Sequence, residues 1–235
     1  MKDNEIDDVL KRAAQAPQDL DPLVLESIGG SIRQSFRPVR PLPPVWLMVA
    51  GLVIVCAAVS LAGAVRGGFF GFAKMNLLER SLVFPALGLL ACFAAVSFVH
   101  QMIPASRLRV SSGVLLALTS AALLAVFADL FRDYHTDHFF GAGIVCLITG
   151  LLHAIPAGLL SWLILRRGFA VNPTSAGLVA GTLAGLAGVG LLELHCPNLQ
   201  ATHILVWHTA VVPVSAALGA FLGWALHFPS RRNYE

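Results

Sequence analysis

The sequence predicts an all-α fold: an integral membrane bundle of six transmembrane helices with both termini in the cytoplasm. Composition is the first observation, because 57% of the 235 residues are hydrophobic, 12% are charged and the mean hydropathy is +0.76. Soluble domains carry about 25% charged residues. The second observation is a set of six apolar runs, each near the roughly 20 residues that a helix needs to cross the hydrocarbon core. The third is the distribution of Lys and Arg among the loops, which sets the orientation.

The six apolar runs occupy most of the chain after residue 44. They are Val45–Val65, Leu82–His100, Val110–Ala128, Gly143–Leu165, Ser175–Leu194 and Ile204–His227. The second run is the weakest, because Pro85 lies near its start and His100 ends it. Pro156 and Pro213 lie inside the fourth and sixth runs. We expect both to kink their helices rather than end them, since neighbouring helices can satisfy the freed carbonyl groups.

Positive charge predicts which side of the membrane each loop faces. If the N-terminus is cytoplasmic, twelve of the sixteen Lys and Arg residues fall in cytoplasmic segments. The four that fall in outer loops are Arg66, Lys74, Arg80 and Arg132. Because short cytoplasmic loops are enriched in Lys and Arg, this distribution favours a cytoplasmic N-terminus. An even number of spans returns the chain to the cytoplasm, which gives a membrane domain of residues 45–228 and a cytoplasmic tail of 229–235.

Residues 1–44 are predicted to form a separate cytoplasmic unit, an acidic amphipathic arm with a Pro-rich connector. Seven of the thirteen acidic residues precede residue 27, against three basic ones. Apolar residues that share one helical face near the N-terminus include Ile6, Val9 and Leu10. Asp21 followed by Pro22 predicts the start of a second helix. Residues 37–44, RPVRPLPP, favour an extended connector into the membrane.

Two cysteines with nearby histidines form the candidate site. In the predicted topology Cys146 lies near the outer end of the fourth helix, and Cys196 lies in the outer loop before the sixth. His153 follows Cys146 by seven residues, His195 adjoins Cys196, and His203 lies at the mouth of the sixth helix. On an oxidising face of the membrane such a thiol pair can form a disulfide or bind a soft metal ion, with His153 and His195 as further candidate ligands. The alternative is that Cys146 packs as a small apolar residue.

Other polar groups are interpreted as structural. Cys56 and Cys92 have no neighbouring His or carboxylate in the sequence, so we expect them to pack. The loop at 129–138 holds three Asp and two His and is expected to be an ordinary solvated loop rather than a metal site. Glu193 ends an apolar helix, and we expect His195 or a water to be its partner.

Glycines in the last two predicted helices recur at a spacing of four. They are Gly177, Gly181 and Gly185 in the fifth helix and Gly219 and Gly223 in the sixth. Small residues at this spacing let helix backbones approach closely. The pattern therefore predicts that both helices pack tightly against their neighbours.

No motif indicates an enzyme, and no catalytic residue is predicted. The sequence lacks a Gly-x-Ser-x-Gly elbow, a His-Glu-x-x-His pair, a phosphate-binding loop and a Cys-x-x-Cys pair. The net charge of +3 gives no argument for direct binding of nucleic acid. A small membrane transporter or channel, with the Cys/His cluster as its substrate site, is the competing functional class. Its weakness is that a transporter usually places charges in its spans, whereas the interiors of these spans offer only His153, His208 and Glu193 as His or charged residues.

Several motifs resemble those of the NrsF family, the negative regulators of sigma F. They are CLITGLLHAIP at 146–156, LRRG at 165–168, LHCP at 194–197, VWHT at 206–209 and RPVRPLPP at 37–44. The likeness covers most of the chain and is strongest between Cys146 and Gly223.

This resemblance implies a six-span anti-sigma factor of the bacterial inner membrane that holds an extracytoplasmic-function sigma factor. Family members carry two outward-facing cysteines associated with heavy-metal or oxidative stress, and these correspond to Cys146 and Cys196. We further expect the arm to contact the sigma factor through Ile6, Val9 and Leu10, because an acidic arm can be steered onto a basic DNA-binding surface. The particular sigma factor, the metal and the oligomeric state stay open.

Overall fold

The computed structural model describes residues 8, 11, 22–35, 43–103, 110–136, 139–165 and 172–227. The described residues are helical or irregular and include no β-strand. The chain divides into two compact units, residues 1–42 and 43–235.

One long helix, α1 (Pro22–Ser35), is described in the first unit. It begins at Pro22, as predicted. The first N–H groups of a helix have no hydrogen-bond partner within the helix, so proline, which lacks an N–H, is tolerated at this position. Ile6, Val9 and Leu10, the predicted partner-binding face, lie outside the described residues. Residues 37–42 of the predicted connector also lie outside them.

Among the described residues of the second unit, six helices are long and apolar enough to cross a membrane, which confirms the predicted all-α bundle. Five of them are α2 (Val45–Gly67), α4 (Leu77–Met102), α5 (Ser112–Leu130), α6 (Phe139–Leu165) and α7 (Pro173–His195), and a short helix, α3 (Phe70–Lys74), follows α2. The sixth is built from α8 (Ala201–His203), a π-helical turn (Ile204–His208) and α9 (Thr209–His227). Neither Pro156 in α6 nor Pro213 in α9 ends its helix.

The second span begins at Leu77, earlier than the predicted Leu82. Asn76 and Glu79 form a capping box, in which the Asn76 side chain accepts from the Glu79 N–H at 2.9 Å and the Glu79 carboxylate accepts from the Asn76 N–H at 2.7 Å. This reciprocal pair satisfies two backbone donors at the helix end. The cap therefore allows a polar first turn, and Pro85 lies inside the helix rather than at its start.

Helix α7 lies at the centre of the bundle. The apolar window of α7 is 83% buried, whereas the other five spans range from 17% to 44%. The predicted tight packing is confirmed on its glycine face. A Cβ atom added at Gly177 would lie 2.2 Å from the carbonyl oxygen of Gly219, and one added at Gly181 would lie 2.2 Å from that of Ser215. Only glycine permits this approach of α7 to α9.

The outer surface of the bundle is apolar. Exposed large side chains on the spans include Trp46, Ile54, Leu89, Val145, Leu152, Leu159, Phe221 and Leu222. A band of such side chains around helices of this length suits lipid tails rather than water. The second unit is therefore a multi-pass membrane domain.

Three segments between spans meet at one end of this domain, and we call residues 68–76, 131–136 and 196–200 the loop end. Lys74 Nζ donates to the carbonyl of Pro197 at 3.0 Å, and the Ala201 N–H donates to the carbonyl of Asp133 at 2.6 Å. Thr202 Oγ1 donates to the carbonyl of His135 at 2.7 Å. These bonds connect the segments that follow the first, third and fifth spans, α2, α5 and α7. Because consecutive spans run in opposite directions, these three segments are expected at the same end of the domain.

Candidate functional site

Two thiols and two imidazoles meet at the loop end. Cys146 Sγ lies 3.4 Å from Cys196 Sγ, and Cys196 Sγ lies 3.6 Å from His203 Nε2. One ligand atom from each of Cys146, Cys196, His203 and His208 lies within 4.8 Å of all the others. We call these four residues the Cys/His cluster.

Three different spans position the thiols and imidazoles. Cys146 lies in the first half of α6, where its side chain is half-buried. Cys196 caps the C-terminus of α7, and its N–H donates to the Leu192 carbonyl at 2.7 Å. His203 and His208 begin the sixth span and are both 1% exposed. The cluster therefore connects α6, α7 and the sixth span at the loop end of the bundle.

The π-helical turn explains how both imidazoles reach the thiols. In an α-helix, side chains five residues apart point about 140° away from each other. In the turn Ile204–His208 the Thr209 N–H donates to the Ile204 carbonyl, five residues earlier. This wider turn brings residues i and i+5 nearly into line. As a result, the rings of His203 and His208 lie in edge-on contact with their centroids 5.1 Å apart.

Glu193 is the buried partner of His208. Its Oε1 lies 2.7 Å from His208 Nδ1, and the two side chains are 0% and 1% exposed. The expected partner His195 is two residues further along α7, and residues at that spacing do not face each other on a helix. With Nδ1 bound to the carboxylate, His208 keeps Nε2 as its free ring nitrogen, and this buried atom has no hydrogen-bond partner.

His153 and His195 lie outside the Cys/His cluster. His153 Nδ1 is 2.9 Å from the carbonyl of Thr149, and its ring packs where Gly63 leaves room. His195 Nδ1 is 3.1 Å from the carbonyl of Gly68. Both histidines connect α2 or its following loop to the rest of the bundle, whereas His203 and His208 are the imidazoles that the structure brings to the thiols.

The two cysteines are not joined by a disulfide, since their sulfur atoms lie 3.4 Å apart. The hydrogen bond with Cys146 and burial both raise the pKa of the Cys196 thiol, and the neighbouring His203 and His208 act in the opposite direction. Two sulfur atoms at this separation have two reactions available to them. An oxidant can join them as a disulfide, or one soft cation can displace their protons and bind both.

The other two cysteines and the described part of the loop at 129–138 do not contribute to the Cys/His cluster. Cys56 is buried in α2, with its sulfur 3.9 Å from the Leu183 carbonyl. Cys92 differs from the expectation that it packs, since its side chain is exposed on α4. In the described part of the loop at 129–138, the side-chain hydrogen bond with His135 lowers the pKa of Asp133, and neither residue joins the Cys/His cluster.

Fold and site together define a multi-pass helical membrane protein with a buried thiol–imidazole cluster at one end. A family model described as NrsF, negative regulator of sigma F, matches residues 33–227. Since this match covers most of the chain, the protein belongs to the NrsF family, a family of sigma-factor regulators rather than enzymes. No match is found among curated proteins or among solved structures.

Proposed function

We propose that the chain is a membrane-embedded anti-sigma factor that holds an extracytoplasmic-function sigma factor at the bacterial inner membrane. It releases this partner when Cys146 and Cys196 react with a periplasmic metal or oxidative signal. Membership of a family described as negative regulators of sigma F supports the first part. The observation that carries the second part is the separation of 3.4 Å between two thiols from different spans.

The orientation of the bundle follows from charge. Twelve Lys and Arg residues against four favour a cytoplasmic N-terminus. With that orientation the loop end faces the periplasm, where oxidants and metal ions arrive without crossing the membrane. The arm, residues 1–44, is then in the same compartment as a sigma factor.

The arm is the proposed binding segment for the sigma factor. Its acidic residues complement a basic DNA-binding surface, and the Ile6, Val9 and Leu10 face supplies apolar contact. Support for this assignment comes from the sequence pattern, since these residues lie outside the described part of the chain.

Signal transfer uses the packing of the spans. Cys146 belongs to α6 and Cys196 to the end of α7. A bond or a shared cation between them pulls α6 towards α7, which is itself locked to α9 by close glycine contacts. Tightly packed helices shift as stiff units, so a displacement at the loop end reaches the opposite end. Release requires only that the binding-competent state lose a few kcal/mol relative to its alternative.

The test is a double substitution, Cys146→Ser with Cys196→Ser, compared with Cys56→Ala with Cys92→Ala as a matched pair outside the cluster. Both variants should insert and repress the sigma-dependent promoter. Only the cluster variant should lose induction by cadmium, chromate or peroxide, as read from a promoter reporter. Normal induction in the cluster variant would show that the thiols do not sense the signal.

Deletion of the gene separates this function from the transporter or channel alternative. An anti-sigma factor predicts constitutive induction of one narrow regulon, because a free sigma factor then engages its promoters. A transporter predicts altered metal uptake or tolerance with no such regulon, and transcript profiling with metal accumulation measures both.

A further inference from the structure

The geometry points to the Cys/His cluster as a four-ligand site for one thiophilic divalent cation, with His203 and His208 as ligands beside Cys146 and Cys196. Glu193 is the positioning residue for His208. This inference deepens the proposed function and rests on it only for the cellular consequence of binding. The site itself is a property of the membrane domain alone.

The donor set and its spacing fit a tetrahedral ion. Two thiolates and two imidazoles form one of the common ligand sets of Zn²⁺, with bonds of about 2.0–2.3 Å that place neighbouring ligand atoms roughly 3–4 Å apart. The Cys146–Cys196 separation of 3.4 Å and the Cys196–His203 separation of 3.6 Å already lie in that range. The widest separation in the cluster is 4.8 Å. Binding therefore requires contraction by only about 1 Å at its widest part.

Unpartnered buried atoms point to a missing ligand. His208 is 1% exposed, its Nδ1 is held by Glu193, and its Nε2 has no hydrogen-bond partner. When Nδ1 carries the proton, Nε2 offers a lone pair. A buried acceptor of this kind is costly unless something binds it. A cation at the centre of the cluster supplies that partner.

Glu193 matches the second shell of known metal sites. Metal-binding histidines commonly donate their other ring N–H to a carboxylate, which fixes the tautomer and the ring orientation. Glu193 lies one helical turn before Cys196, so the end of α7 supplies both a thiol ligand and the group that orients an imidazole. The π-helical turn places His203 and His208 on the same side of the sixth span, so that both rings can reach one ion.

Charge also favours a dication. Binding breaks two S–H bonds, forms two metal–sulfur bonds and passes two protons to water. The two thiolates then balance the charge of the cation inside a buried site, which removes much of the penalty for burying it. Soft or borderline ions that accept thiolate, such as Zn²⁺ and Cd²⁺, are the class selected, whereas Mg²⁺ prefers oxygen ligands.

The experiment measures binding of Cd²⁺ and Zn²⁺ to the full chain, purified in detergent micelles without a sigma factor and kept reduced. Calorimetry gives stoichiometry and affinity, and the thiolate-to-Cd²⁺ charge-transfer absorption reports sulfur ligation. We expect one cation per chain and no binding of Mg²⁺. His203→Ala and His208→Ala should each weaken the affinity at least tenfold, whereas the control variants His153→Ala and His195→Ala should leave it unchanged.

Glu193→Gln separates positioning from a merely structural role. A positioning role predicts that Cd²⁺ binds about 10–100-fold more weakly with the charge-transfer absorption retained at saturation. Glu193→Asp should recover part of the loss. A merely structural role would lower the thermal stability of the metal-free chain and leave the affinity unchanged, and this would overturn the assignment of Glu193.

Equal Cd²⁺ affinity in the unchanged chain and the His203→Ala and His208→Ala variants would overturn the four-ligand site. If either variant fails to fold, His203→Gln and His208→Gln at matched stability provide the same comparison. Because the purified chain contains no sigma factor, this outcome is independent of the proposed function. A chain that binds Cd²⁺ through all four ligands yet never releases a sigma factor in cells would keep the site and contradict the proposed function.

Discussion

Gly143 makes room for the side chain of Trp207 next to the cluster. A Cβ atom added at Gly143 would lie 2.0 Å from Trp207 Nε1, far inside van der Waals contact. Trp207 precedes His208 in the π-helical turn, and Cys146 follows Gly143 by three residues on the same face of α6. The absence of a side chain at residue 143 thus lets α6 approach the sixth span where the thiol of Cys146 lies.

Gly143→Ala should therefore slow the joining of Cys146 and Cys196 by a mild oxidant. The added methyl group must displace the indole or separate α6 from the π-helical turn, and either movement disturbs a sulfur separation of 3.4 Å. Loss of free thiols over time, followed by alkylation, measures the rate. Gly141→Ala is the matched control, because a Cβ atom there meets nothing within 4 Å. Equal rates in the two variants would show that Gly143 does not set the geometry of the pair.

At the residue scale, three of the four residues of the cluster, Cys146, Cys196 and His203, are predictable from sequence. Topology alone places Cys146 and Cys196 at the same face of the membrane, and the structure brings their sulfur atoms together. His208 is not predictable in this way, because a spacing of five from His203 does not share a face in an α-helix. Residues of the π-helical turn contact other spans, Trp207 at Gly143 of α6 and His208 at Glu193 of α7. No local sequence pattern encodes these contacts.

At the scale of helices, the contact between α7 and α9 depends on residues without side chains. A Cβ atom at Gly181 would lie 2.2 Å from the Ser215 carbonyl oxygen and 2.8 Å from the Cα atom of Ala216. Both atoms belong to the backbone, so relief requires movement of a whole helix. The close approach of these helices also fixes the end of α7, from which Cys196 and Glu193 extend.

We expect Gly181→Ala to destabilise the membrane domain by roughly 1–3 kcal/mol, the usual cost of overpacking a closely packed interior. Gly88→Ala in α4 is the control, since a Cβ atom there meets nothing within 4 Å, and its better helix propensity predicts a neutral or slightly stabilising change of up to about 1 kcal/mol. Thermal unfolding of both variants in the same detergent makes the comparison. A Gly181→Ala variant as stable as the Gly88→Ala variant would rule out the close contact.

The number and order of helices are predictable because length and hydropathy are strong local signals. The residues at which the helices begin and end are less predictable. Polar residues before Pro85 obscure the first turns of α4, and the reciprocal bonds of Asn76 and Glu79 that begin this helix become visible only in three dimensions. The glycine spacing of four is a sufficient signal for tight packing, although it does not say which helices meet.

At the scale of the whole molecule, the loop end must lie on one side of the membrane. We expect the loop end to be periplasmic, because most Lys and Arg residues lie in the segments at the other end of the spans. Positively charged segments stay preferentially in the cytoplasm. Alkaline phosphatase fused after His138 should be active, since the enzyme folds only outside the cytoplasm, and the same enzyme fused after Arg167 should be inactive. A reporter that fluoresces only in the cytoplasm should give the reverse pattern. Activity after Arg167 would invert the orientation and place the cluster in the cytoplasm.

The arm and the membrane domain are expected to divide the work of binding and sensing. Seven acidic residues precede residue 27, and the proposed contact face of Ile6, Val9 and Leu10 lies within the same stretch. Removal of residues 1–26 should therefore abolish capture of the sigma factor by the membrane-inserted chain, while the charge complementarity predicts that capture by the full chain weakens as salt rises.

Two matched variants locate the contact within the arm. Ile6→Asp with Leu10→Asp places charge on the apolar face and should weaken co-purification of the sigma factor at least tenfold. Asp3→Asn with Glu5→Gln keeps that face and should mainly slow association, since charges at the rim of an interface act on the encounter rate.

Cd²⁺ binding by the chain without residues 1–26 should be unchanged, because the cluster lies in the other compact unit. Normal capture after removal of residues 1–26 would show that this part of the arm does not bind the sigma factor. The loops at Arg107 and Arg166, which the proposed orientation also places in the cytoplasm, would then become the candidates.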